Sequence, residues 1–132
     1  MISLELAQRL RSAGLVWEPE PGDRFVVPGR DMDDEVFVVS TMLVDVHEFP
    51  TGRVIGFNGT TEWALDSIEQ HEVVWLPWEH QLRERLGSRF VRLETGDAGF
   101  VVVTAWDGRQ ERSGHRDAEC AYAQSLLAML SG

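Results

Sequence analysis

Residues 89–112 read RFVRLETGDAGFVVVTAWDGRQER. Three extended segments lie in this stretch: 89–94, 99–106 and 109–112. Asp107-Gly108 between the last two is a two-residue hairpin sequence, because both residues tolerate the positive φ angles that such a turn demands. Gly96-Asp97 marks the other turn, at 95–98. Short turns of this kind join antiparallel neighbours, so the stretch predicts a meander and not a parallel crossover.

Helices flank it. Downstream, 117–130 carries Ala118, Ala121, Tyr122, Leu126 and Met129 on one apolar stripe, which predicts a helix packed on the sheet. Upstream, Pro77 suits the first helical position, and a helix over 78–86 ends at Gly87. Residues 3–13, SLELAQRLRSA, form a third helix, with Ser3 as its cap and Leu6 and Leu10 on one face. Between these lie an extended loop at 17–22, a short strand at 24–28 and an acidic turn at 29–35. A strongly apolar strand region follows at 36–48, either one strand buried on both faces or two strands broken near Ser40 and Thr41. The turn Pro50-Thr51-Gly52 leads into 53–57, so these segments pair as a hairpin. A short helix from Thr60 or Thr61 to Ile68 and an extended segment at 72–76 complete the chain. No regular βαβ alternation is present. The expected architecture is α+β in a single domain, 1–132. Its mostly antiparallel sheet has about five to seven strands, with N-terminal, central and C-terminal helices packed on it.

The charge is unevenly placed. The net charge is −10, and residues 1–80 hold fifteen acids against five arginines, while 81–132 hold seven of each. All twelve basic residues are arginine. An acidic chain lacks the cations that neutralise phosphates, so neither nucleic acid nor an anionic membrane is an expected partner. A basic protein partner fits the acidic half. The single cysteine, Cys120, excludes an intrachain disulfide and points to a reducing compartment, the cytoplasm. No apolar run approaches the length of a membrane span.

Reactive motifs are scarce. In Asp31-Met32-Asp33-Asp34-Glu35 the sixth position of a calcium loop would be Val36 instead of glycine, and the closing position would be Met42, so the stretch reads as a solvated turn. His47, His71, His80 and His115 show no metal-binding spacing. Convergence of His47 or His71 with nearby carboxylates is the remaining acid–base reading. Cys120 and His115 are five residues apart, an offset that does not stack side chains on a helix. No cofactor and no catalytic residue is expected.

Binding features are more prominent. Residues 49–63, FPTGRVIGFNGTTEW, combine three glycines with aromatics and an asparagine. They read as a hairpin and helix entry, or alternatively as a small-ligand loop. Five tryptophans in 132 residues is a high count. Trp75 and Trp78 flank Leu76-Pro77, with Trp63 shortly before, and such aromatics either fill a core or anchor an interface. The candidate ligand- or partner-binding residues are Arg53, Asn58, Trp63, Trp75 and Trp78.

Three stretches carry a resemblance: ISLELAQRLRSAGLVWEP, EFPTGRVIGFNGTTEWALDSI and WLPWEHQLRERLG followed by a sheet and a terminal helix. On these the whole chain resembles a group of small uncharacterised actinobacterial proteins and, more weakly, small phage-associated proteins. Some of the first group carry the label of a pilus assembly protein. That label implies nucleotide chemistry, for which this chain lacks both the lysine and the glycine-rich loop. The expectation is therefore a non-catalytic interaction or regulatory module with a protein partner or self-association. Small-ligand binding at 49–63 is the alternative, and a small enzyme with a His/carboxylate site is the second.

Overall fold

Along the chain the elements are α1 (Leu4–Ser12), β1 (Arg24–Val26), β2 (Phe37–Val38), β3 (Val44–Phe49), β4 (Gly52–Phe57), β5 (Ser67–Glu69), β6 (Val74–Leu76), α2 (Glu79–Leu86), a 3-10 turn (Gly87–Arg89), β7 (Phe90–Gly96), β8 (Gly99–Trp106), β9 (Arg109–His115) and α3 (Ala118–Ser131). This is a computed structural model, and it describes residues 1–28, 36–39, 44–49, 52–57, 67–69 and 73–132. The class is α+β. Among the described residues the strands fall into three sheets of three, ordered β2-β1-β6, β3-β4-β5 and β7-β8-β9, in place of the one expected sheet of five to seven. Chain neighbours pair within β3-β4-β5 and β7-β8-β9, β1 takes the distant β6 as its second neighbour, and α2 separates β6 from β7 along the chain.

The chain groups into two compact units, Met1–Val16 with Leu76–Gly132, and Trp17–Trp75. The first unit is built on the meander. Asp107 and Gly108 take φ angles of 53° and 76°, which makes their turn the primed type that matches strand twist. It closes Trp106 on Arg109. Gly96 pairs with Gly99 at the other turn. Phe90 pairs with Thr104 and Arg92 with Val103, so Val91 is an extra residue in a bulge. The bulge reverses the side-chain alternation of β7, sending Phe90 to one face and Arg92 to the other.

Phe90 meets Tyr122 of α3, with ring centroids 5.6 Å apart and planes at 18°. α3 therefore lies on this face of the sheet, and α1 and α2 pack against α3 in turn. That double contact explains why its buried positions exceed one stripe: Cys120, Ala123, Ser125 and Leu127 are buried together with Ala121, Tyr122 and Leu126. Glu119 joins the three helices. Its carboxylate accepts from the Ile2 N–H at 3.0 Å and from the Glu79 N–H, the first of α2, at 2.9 Å. A carboxylate at that end also complements the helix dipole. α2 begins one residue later than the expected start at 78, because Trp78 is extended at its N-cap (φ −76°, ψ 162°). Gln81 Oε1 accepts from the Trp78 N–H at 2.9 Å, while the indole, which has no acceptor, cannot return the bond.

On the opposite face of the meander, Arg92 and Arg112 flank the fully buried Val103 in register. Glu94 lies between them, 2.7 Å from Arg92 Nε and 2.5 Å from Arg112 Nη2. Hydrogen bonds from Arg112, then Arg92, hold its carboxyl at about 2, against an ordinary 4.5. Because the folded value is depressed, the contribution to stability is complete above pH 4.5 and is lost as pH falls toward 2. A carbon-detected NMR titration is expected to find the Glu94 midpoint near 2. Arg112→Gln should move it up toward the ordinary value; an unchanged midpoint would show that this pair does not set it.

The second unit holds β1 to β5, most of β6 and a column of aromatic rings. Trp75 stacks on Trp17 (6.4 Å, 11°), Trp17 tilts against Phe25 (5.7 Å), and Phe25 stacks on Phe37 (5.5 Å). The described residues of the region 36–48 fall in two strands, β2 and β3, with the expected break at Ser40 and Thr41 outside the described residues, and β3 pairs with β4 from Phe49–Gly52 to Val44–Phe57, the hairpin expected from the sequence. Ser67 and Ile68 belong to β5, opposite Gly56 and Ile55, so a helix does not run through Ile68. Hydrogen bonding to an existing hairpin edge overrides a weak local helix tendency. The acidic turn 29–35 lies outside the described residues. The charge division follows the units: Trp17–Trp75 contains thirteen acids and three arginines, the whole −10, and the other unit is neutral, with nine of each.

Candidate functional site

The meander and α3 leave an opening at one end of the first unit. The sheet ends at the Asp107-Gly108 turn, so nothing further along β8 covers Trp106, which is 62% exposed. The same end of the sheet faces the last turns of α3. With the 3-10 turn they enclose a cleft of about 270 Å³. Leu86 and Met129 supply apolar wall; Thr104, Ser125, Arg89, Arg109 and Glu111 supply polar groups.

Register explains the convergence. Trp106 pairs with Arg109, and Thr104 with Glu111, and paired or alternate residues share one face of a sheet. That face is the one that bears α3. The 3-10 turn brings Arg89 over the indole, its guanidinium carbon 4.5 Å from the ring centroid. A guanidinium held over a ring uses none of its hydrogen-bonding capacity on an acceptor there, so its N–H groups remain available to an anion. Among the described residues, neither arginine has an ion-pair partner, and neither has Glu111. Ser125 is only 5% exposed, and its Oγ has no hydrogen-bond partner. Buried hydroxyls are ordinarily satisfied, so this one is conspicuous where it lines a cleft.

Nucleophilic chemistry finds no support around Cys120. The thiol is buried, and burial, with the nearby Asp117 carboxylate, pushes its pKa up; the reactive thiolate is thereby suppressed. His115 points elsewhere, its Nδ1 accepting from the Asp117 N–H at 2.9 Å. Asp117 itself is raised by partial burial, but hydrogen bonds from the amino terminus and the Cys120 N–H outweigh this and leave it below the usual carboxylate value. Among the described residues no group of three or more His, Cys, Asp or Glu side chains could hold a metal ion. No described helix is long and apolar enough to cross a membrane.

The described residues among those singled out in the sequence fall on different elements. Trp75 is buried, 8% exposed, in the aromatic column. Trp78 is 37% exposed at the start of α2. Arg53 is on β4 opposite Glu48, and His47 is on β3. Asn58, Trp63 and His71 lie outside the described residues. Trp106, Arg89, Arg109 and Ser125 were not among the candidates. The sign of them in the sequence is a tryptophan directly before a two-residue turn, where a sheet ends and a large side chain has no further strand to lie against.

Comparison with known protein families, curated proteins and solved structures finds no match for this chain.

Proposed function

We propose that this chain is a non-catalytic interaction or regulatory module of the cytoplasm, docking on a protein partner or on a second copy of itself. The observation that carries this reading is Trp106, 62% exposed and braced by Arg89. An indole left in water at a sheet end, with a guanidinium held against it, is the pairing of residue types that dominates binding energy at protein interfaces. Val91, 42% exposed in the β7 bulge, adds apolar surface on the same unit. The acidic unit would supply long-range attraction to a basic partner.

The test is capture of the tagged chain from a native lysate with intact-mass measurement, together with sedimentation for self-association. A stoichiometric partner or a dimer is expected for the unaltered chain. Trp106→Ala should weaken it by about 2 kcal/mol or more, roughly thirtyfold, while far-UV circular dichroism stays unchanged. Finding neither partner nor dimer, or equal capture by Trp106→Ala, would remove the reading.

A further inference from the structure

We propose that the cleft between α3, the 3-10 turn and the β8–β9 hairpin captures the carboxy-terminal residue of a peptide, an apolar residue whose α-carboxylate is held by Arg89 and Arg109. The inference rests on the interaction reading above and names the part of the partner that enters the site.

Four observations carry it. The cleft, about 270 Å³, matches one or two residues and not a folded surface. Two arginines line it without an ion-pair partner among the described residues. Arg89 is orientated by the Trp106 ring, which leaves its donor edge for a carboxylate, and guanidinium–carboxylate pairing is two-pronged and strong. Leu86 and Met129 offer apolar contact beside those donors, which selects an apolar side chain.

The remaining polar groups fit a peptide better than a bare anion. Glu111 gives a bare anion no partner. A peptide brings backbone N–H donors, and Glu111 can accept one. Ser125 Oγ, buried and unsatisfied, gains its missing partner from the incoming main chain. Capture of a terminal carboxylate is an established mode of peptide recognition.

The test is calorimetric titration of the full chain with glycine–serine hexapeptides ending in leucine, isoleucine, methionine or phenylalanine. Each is used with a free and with an amidated carboxy terminus, and free leucine is titrated alongside. At least one free-acid peptide is expected to bind at about 1 mM or tighter. Amidation, Arg89→Gln and Arg109→Gln should each weaken it about tenfold or more. Ser125→Ala should weaken binding a few-fold without lowering the melting temperature, since the hydroxyl it removes bonds nothing in the free protein; a purely structural serine would do the reverse. Equal binding of acid and amide, binding of free leucine as tight as that of the peptide, or no binding by any peptide would overturn the inference. If the peptides fail while Trp106-dependent capture from lysate persists, the cleft assignment falls and the interaction reading stands.

Discussion

Gly99→Ala is expected to destabilise the protein by about 3–5 kcal/mol, from left-handed strain and hard overlap together. Gly99 opens β8 with φ at +124°, a conformation open to glycine and costly for any L side chain. A Cβ there would stand 2.6 Å from the His115 carbonyl oxygen and 2.8 Å from the Arg116 Cα. Both are backbone atoms, so no side chain can swing aside. Relief would require β9 to move off β8, breaking the Phe100–His115 pairing and disturbing the start of α3 at Asp117. Gly96 supplies the control. It is the cross-strand partner of Gly99, yet a Cβ at Gly96 meets nothing within 4 Å. Gly96→Ala is expected to change stability by less than about 1 kcal/mol. Urea denaturation of both variants, followed by far-UV circular dichroism, measures the difference. Equal midpoints for the two would show that β9 does not pass as close to β8 as described.

The contrast between these glycines shows what the sequence reveals and what it hides. Asp107-Gly108 announces its turn because the chemistry of that turn is local: two residues must accept positive φ, and the pair that does so easily is present. The Gly96-Asp97 turn is legible for a similar reason. The demand on Gly99 comes from His115, sixteen residues away, and no local pattern records it. The same division runs through the molecule. The helix at 3–13 declares itself through Ser3 and the Leu6–Leu10 spacing, and Ser3 Oγ does accept from the Leu6 N–H at 3.2 Å. The start of α2 is less legible, because Glu119 caps it from forty residues further along the chain. Ser67–Ile68 resembles the end of a helix until an edge of β4 is available to pair with it.

The cleft follows the same logic. Its arginines look like ordinary surface charge in one dimension, since only register places Arg109 beside Trp106 and only the 3-10 turn carries Arg89 over the ring. The tryptophan cluster at Trp63–Trp78 drew attention because it is close-set in sequence. Proximity along the chain is a poor guide to exposure. Trp75 lies in a three-residue strand whose residues are all buried, and Trp78, three positions later, has passed out to the surface. The informative feature of a tryptophan is whether its element ends beside it.

Trp17→Ala is expected to cost a further large amount, about 3–5 kcal/mol, the usual range for deleting a buried aromatic side chain. Trp17 is 6% exposed and occupies the middle of the aromatic column, between Trp75 and Phe25. Its removal opens a cavity against two rings at once, and the remaining rings belong to β1 and β6, whose backbone pairing prevents collapse into the gap. A polar loss is added. The indole Nε1 donates to Asp23 Oδ2 at 2.8 Å, and the same oxygen accepts from the Glu20 N–H at 3.0 Å. Asp23 is only 4% exposed, and taking away one donor leaves a buried carboxylate less well bonded. The backbone of Asp23 is committed as well, its carbonyl accepting from the Val39 N–H at 2.9 Å. Trp17→Phe separates the two contributions. It keeps most of the ring packing and loses the indole N–H, so it is expected to cost about 1–3 kcal/mol, the penalty of the lost bond to a buried charged acceptor. Asp23→Asn, which keeps an acceptor oxygen but removes the charge, should then cost less when combined with Trp17→Phe than when made alone, because the partner is already gone. Denaturation midpoints for the single and double variants, with near-UV circular dichroism for the aromatic column, give all the quantities needed. Strict additivity of the pair would mean that the indole and the carboxylate do not interact, and the account of this column would then reduce to packing alone.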